Sequence, residues 1–116
     1  MIIYVDIDDT ICFYKETTSG EIPDYSLALP LMENIKRVNE LYENGHTIIY
    51  WTARGAVSGI DHTKLTETQL STWGCKYQQL KLDKPHFDIF IDDKVLNSRD
   101  WENNKGPFLQ NSKKGL

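Results

Sequence analysis

The sequence predicts an α/β fold, a parallel sheet with helices packed on both faces, and three observations predict it. Short runs rich in β-branched and aromatic residues, Ile2-Ile3-Tyr4-Val5, Thr47-Ile48-Ile49-Tyr50-Trp51 and Phe87-Asp88-Ile89-Phe90-Ile91, recur along the chain. Amphipathic stretches at helical spacing stand between them, and strand and helix in alternation is the pattern of a parallel sheet whose strands are covered on both sides. Each run also ends in polar residues, Asp6-Ile7-Asp8-Asp9-Thr10, Thr52-Ala53-Arg54-Gly55 and Asp92-Asp93-Lys94. In open sheets of this kind ligands bind beyond the carboxyl ends of the strands.

The first run reads as a buried central strand that delivers carboxylates to its end. The segment from Ile11 to Tyr25, with Thr17-Thr18-Ser19-Gly20 in its middle and Pro23 near its close, reads as a small hairpin or flap beside that end. Pro30 suits a first helical position. Leu31, Ile35, Val38, Leu41 and Tyr42 then recur at helical spacing until Asn44-Gly45 stops the helix. After the second strand, a loop with two glycines, Gly55 to Ile60, leads to Asp61 as N-cap of a helix from about His62 to Trp73. Leu65, Leu70 and Trp73 face inward in this reading, and Gly74 ends the helix. Lys76 to Leu80 reads as a short strand, Leu82-Asp83-Lys84-Pro85 as a turn, Phe87 to Ile91 as a third buried strand, and Asn97 to Trp101 as a helical turn. The tail, residues 102–116, is rich in Asn, Lys and Gly and reads as weakly ordered.

A chain of 116 residues, 40% hydrophobic and 26% charged, is the size and composition of one globular domain. The net charge of −4 and the lack of a basic stripe argue against nucleic acid as a partner. No apolar stretch reaches the length of a membrane span, and Met1 leads into a strand without a basic leader, so a cytoplasmic protein is expected. Cys12 and Cys75 lie in different elements without metal-ligand spacing, which predicts two reduced thiols.

If the strand ends converge, Asp6, Asp8, Asp92 and Asp93 meet. Several carboxylates at close range raise one another's pKa unless a cation compensates them. All-oxygen ligation points to Mg2+, which keeps positions open for water and phosphate. Thr52, Lys84 and the amides of the loop after Asp6 would add the groups that hold a tetrahedral dianion. An aspartate among them can attack phosphorus, with a second carboxyl moving the proton.

Asp6-Ile7-Asp8-Asp9-Thr10 matches the D-x-D-x-T signature of the haloacid dehalogenase superfamily of phosphohydrolases, and Thr52, Lys84 and Asp92-Asp93 match its three further motifs in order. The chain resembles that superfamily from about Met1 to Trp101. The resemblance implies a three-layer Rossmann-like fold, with Asp6 as nucleophile and Mg2+ ligand and Asp8 as general acid/base that also binds the metal through its backbone carbonyl. It further implies Asp92 as a metal ligand, helped by Asp93, and Thr10 as support for the nucleophile loop. Thr52 and Lys84 would bind phosphate, with Ala53 and Arg54 as neighbouring substrate or phosphate contacts. About fifteen residues at the flap and about thirty after the second motif leave no room for a cap domain, so the chain is similar to the capless group. Its wording around Trp51-Thr52-Ala53-Arg54-Gly55 and Ile91-Asp92-Asp93-Lys94 is similar to small phosphatases of capsule and surface-polysaccharide biosynthesis. That implies a small phosphorylated sugar, sugar acid or polyol as substrate, and leaves a homo-oligomer open. Two other readings stand beside it. A phospho-acceptor receiver module shares the α/β layers, Mg2+, Thr and Lys but in a different chain order. A phosphotransferase or mutase of the same superfamily would have to keep water from the aspartyl-phosphate.

Overall fold

The computed structural model describes residues 1–16 and 22–103. β1 (Ile2–Val5), β4 (Thr47–Trp51) and β5 (Gln79–Lys81) form a parallel sheet in the order β1-β4-β5. Its register pairs Ile3 with Ile48 and Val5 with Tyr50 across the first ladder, and Tyr50 with Leu80 across the second. α1 (Met32–Glu43) links β1 to β4 and α2 (Thr63–Thr72) links β4 to β5, which makes this the α/β layering the sequence predicts. Among the described residues no helix is long and apolar enough to cross a membrane.

Strand alternation and helical spacing build the core. Val5, Ile48 and Tyr50 project into one cluster with Ile35, Val38 and Leu41 of α1 and Leu70 of α2, as the periods of 2 and 3.6 require. Ile7 and Ile11 close it beneath the acidic loop, both fully buried.

The flap is larger than its sequence suggests. β2 (Cys12–Phe13) pairs antiparallel with β3 (Leu29–Pro30), so Pro30 belongs to a strand and α1 begins two residues later than expected. Proline tolerates this place because Cys12 opposite Pro30 is one end of a ladder only two residues long, where a missing N–H costs little. A 3-10 turn, Tyr25–Leu27, capped by Asp24, leads into β3. The expected turn Thr17-Thr18-Ser19-Gly20 lies outside the described residues.

Two expectations fail, and they fail together. β1, expected at the centre of the sheet, is an edge strand with β4 as its one partner among the described residues, and its Ile2 and Tyr4 are 70% and 50% exposed. Phe87 to Ile91, expected as a third buried strand, forms no strand, and Ile89 and Ile91 are 78% and 94% exposed. An apolar β-branched run has the propensity for a strand, but only a ladder partner makes it one. α3 (Ser98–Glu102) then starts at the N-cap Asn97 and buries Trp101. Arg37 of α1 stacks on the Trp101 ring at 4.3 Å and donates to the Trp101 carbonyl at 2.7 Å.

Candidate active site

The residues that follow the strands build a cavity of about 430 Å3 whose walls include Asp6, Asp8, Thr52, Ala53, Arg54 and Lys84. β1 places Asp6 directly after its last rung, and the chain then folds into a tight turn. Thr10 and Ile11 donate their N–H groups to the Ile7 carbonyl, and Asp9 donates to the Cys12 carbonyl. Asp9 holds φ +62° in this turn, a left-handed conformation that aspartate tolerates better than bulky or β-branched residues.

Lys84 reaches this loop from the far side of the sheet. Its backbone N–H donates to the Thr52 carbonyl at 3.2 Å, and its ammonium stands 3.5 Å from an Asp6 carboxylate oxygen, between the rings of Trp51 and Phe87. Asp6 is left 40% exposed, so it faces the cavity with one cation beside it. Burial of this wall raises the Asp6 pKa above the usual carboxylate value, while the Lys84 charge and the Ile7 N–H pull it back. Thr52 is buried at the end of β4. Its hydroxyl accepts from the Arg54 N–H at 3.2 Å, which leaves its own O–H to donate.

Arg54 does something other than contact a phosphate. Its Nε and Nη2 bracket Asp8 at 3.1 and 2.9 Å, and its Nη1 donates to Thr66 Oγ1 at 3.0 Å and Gln69 Oε1 at 2.7 Å. The remaining donor points toward the Tyr14 hydroxyl at 3.5 Å, and the side chain is wholly buried. All the donors of the fork are thus spent inside the protein, which corrects the expected substrate contact: Arg54 lines the cavity but serves to hold Asp8. Burial works against the guanidinium charge, and the hydrogen bonds and charge of Asp8 more than offset it, so its pKa is raised.

Asp8 is further fixed by Tyr14, whose hydroxyl donates to Oδ1 at 2.6 Å, and by the Cys12 thiol at 3.4 Å. Burial first, and then Asp8 itself, push the Cys12 thiol up to about 12 and the Tyr14 phenol well above its ordinary value. Both stay protonated donors. Cys12 therefore has a role in the site that the sequence did not reveal, as do Thr66 and Gln69. A thin apolar stripe on α2 was the available signal: Thr66 and Gln69 are buried beside Leu70, whereas Leu65, expected to face inward, is only half-buried. Buried polar residues on such a helix need a polar partner, and Arg54 is theirs.

The loop after Arg54 depends on one glycine. Gly55 has φ +87°, and a Cβ there would lie 2.2 Å from the Ile60 carbonyl oxygen. Gly55→Ala is expected to cost about 1–3 kcal/mol and to displace the loop, checked by a lowered thermal midpoint. Gly59→Ala has no contact to make and is expected to cost less.

Asp92 is not brought to this site. It is absent from the cavity walls and lies in the exposed stretch between Lys84 and α3, where its carboxylate accepts from the Lys94 N–H at 2.8 Å in a local turn. Asp93 is exposed in the same turn. Among the described residues no three Asp, Glu, His or Cys side chains gather as a metal site. With Asp8 bracketed by Arg54, Asp6 and Asp9 are the other carboxylate residues among the described walls of the cavity, and a Mg2+ ion held by one or two carboxylates would fill its remaining positions with water and phosphate oxygens.

No family model matches the chain, and no curated protein matches it. The fold is similar to that of a crystal structure, an MCSG target from Vibrio cholerae, at 19% identity and a TM-score of 0.73. The likeness covers 97% of this chain and 98% of that one.

Proposed function

We propose that this protein is a phosphomonoesterase that uses Asp6 as a nucleophile on a small phosphorylated metabolite. The observation that carries the reading is the meeting of Asp6, Thr52 and Lys84 in one cavity, although they follow different strands and are far apart in sequence. The Lys84 ammonium offsets the repulsion between a phosphate dianion and the Asp6 carboxylate, and the Thr52 hydroxyl can donate to a phosphoryl oxygen. Asp6 attacks phosphorus, the ester P–O bond breaks, and Asp8, having taken up a proton from solvent at Oδ2, gives it to the departing alkoxide. Water then attacks the aspartyl-phosphate, Asp8 takes up the water proton, and phosphate and free Asp6 are released. Among the described residues the Asp8 Oδ2 accepts one hydrogen bond, from Arg54 Nε, so it is the oxygen available for this traffic.

Ile22, Tyr25 and Val57 give the same cavity apolar walls and Ser58 gives it a polar one, which suits the carbon skeleton and hydroxyls of a sugar, sugar-acid or polyol phosphate. Placement in surface-polysaccharide biosynthesis follows from the resemblance of its motifs. Cytoplasmic placement fits two unpaired cysteines. Mg2+ is the ion this reading calls for once a further carboxylate joins Asp6. A panel of sugar, sugar-acid and polyol phosphates, with p-nitrophenyl phosphate beside them, tests the reading by phosphate release with and without a chelator. Multiple turnovers on at least one ester, lost on chelation, are expected. A single stoichiometric labelling without turnover would replace it by the receiver module.

A further inference from the structure

We infer that two copies of this chain exchange the segment that follows Lys84, so that Phe87–Ile91 of each adds as a parallel strand to the free edge of the other's β1, and the partner subunit's Asp92 arrives beside Asp6. The inference rests on the phosphatase reading for the use of that carboxylate, but on geometry for the exchange itself. The chain displays both halves of an unmade ladder. Among the described residues β1 has an open edge, with Ile2 and Tyr4 of that strand exposed, and Phe87–Ile91 is an apolar run of strand length whose isoleucines lie bare. An open apolar edge and an unpaired strand in one molecule are a liability unless they meet.

They cannot meet within one chain while Lys84 stays where it is. Its backbone is bonded to the Thr52 carbonyl. The register Val5 to Tyr50 sets Thr52 level with Ile7, at the C-terminal end of the sheet. A parallel strand that sets Asp92 beside Asp6 must enter with Phe87 level with Met1, about 20 Å lower at ~3.3 Å per residue. Only Pro85 and His86 separate Lys84 from Phe87, and three Cα steps reach at most about 11 Å. A second copy has no such constraint, because its Lys84 remains at its own site while its strand crosses.

The end of the segment agrees. Asn34 donates both to the Thr10 carbonyl at 2.8 Å and to Glu102 of α3 at 2.9 Å, so the seat of α3 lies by the loop at the upper end of β1. A strand rising beside β1 delivers its α3 to that seat, and an exchanged element remakes in trans the contacts it makes within one chain.

Sedimentation of the wild-type protein is expected to give twice the 13.5 kDa chain mass; a single-chain mass would overturn the proposal. Asp92 in this register is two residues past Phe90, as Asp6 is two past Tyr4. A Tyr4→Cys chain co-expressed with a Phe90→Cys chain should therefore form a cross-link between chains on oxidation. A link confined to the Tyr4→Cys/Phe90→Cys double variant, at single-chain mass, would place the strand in cis. These readouts hold whether or not the protein is a phosphatase. Where wild-type turnover is present, Asp6→Asn and Asp92→Asn chains, each inactive alone, should recover about a quarter of wild-type specific activity on co-expression. Half the dimers are then mixed, each with one intact site of two. No recovery beside an active wild type would overturn the exchange.

Discussion

Asp6→Asn is expected to lower turnover of any phosphate ester by about three orders of magnitude or more, since in the proposed mechanism it removes the attacking oxygen rather than a packed group. The same substitution should leave the fold as stable as before, or slightly more so. The folded-state pKa of Asp6 is raised by burial, with Lys84 only partly opposing it. In the window between the unfolded value of 3.8 and that raised value, the folded protein holds a proton that the unfolded chain releases. Stability therefore falls as pH rises through the window, and above it the ionised Asp6 is a standing cost that asparagine does not carry. Thermal midpoints of the two metal-free proteins measured from pH 4 to 8 check this. The wild type should lose ground to the variant as pH rises, and a variant markedly less stable at neutral pH would mean that Asp6 holds the fold together.

Arg54→Met is expected to be the most damaging substitution for stability, by about 3–5 kcal/mol, because it strands Asp8 without its cation and Gln69 Oε1 and Thr66 without their donor in a buried place. Arg54→Lys keeps the charge but cannot fork across Asp8 while reaching α2. It should therefore recover part of the stability and little of the activity. Denaturant unfolding separates these outcomes. Equal loss of activity in both variants with stability unchanged would return Arg54 to the substrate side of the cavity.

Most of the scaffold was legible because its signals are local. Apolar runs at Ile2–Val5 and Thr47–Trp51, the helical spacing of Ile35, Val38 and Leu41, and the cap at Asn97 each dictate their element from neighbouring residues. The meeting of Asp6, Thr52 and Lys84 was legible too, since each stands at or just past a strand end and parallel topology carries strand ends to one side. What stayed hidden depends on contacts between distant positions. Nothing near Arg54 announces that its fork is filled by Asp8 from one element and by Thr66 and Gln69 from another, and a Pro30 that fits a helix start equally fits the end of a two-residue ladder. Phe87–Ile91 is the clearest case. Its composition states a preference for a strand, but the partner that would satisfy it is a matter of reach, and Lys84 three residues earlier sets that reach.

In the proposed mechanism Asp6 accepts the phosphoryl group, and the direct test is mass spectrometry of the acid-quenched protein during turnover of p-nitrophenyl phosphate. A mass increase of about 80 Da on the peptide holding Asp6, absent from Asp6→Asn, is the predicted result for a covalent aspartyl-phosphate. Steady release of phosphate with Asp6 never modified, or with the adduct on another residue, would contradict it.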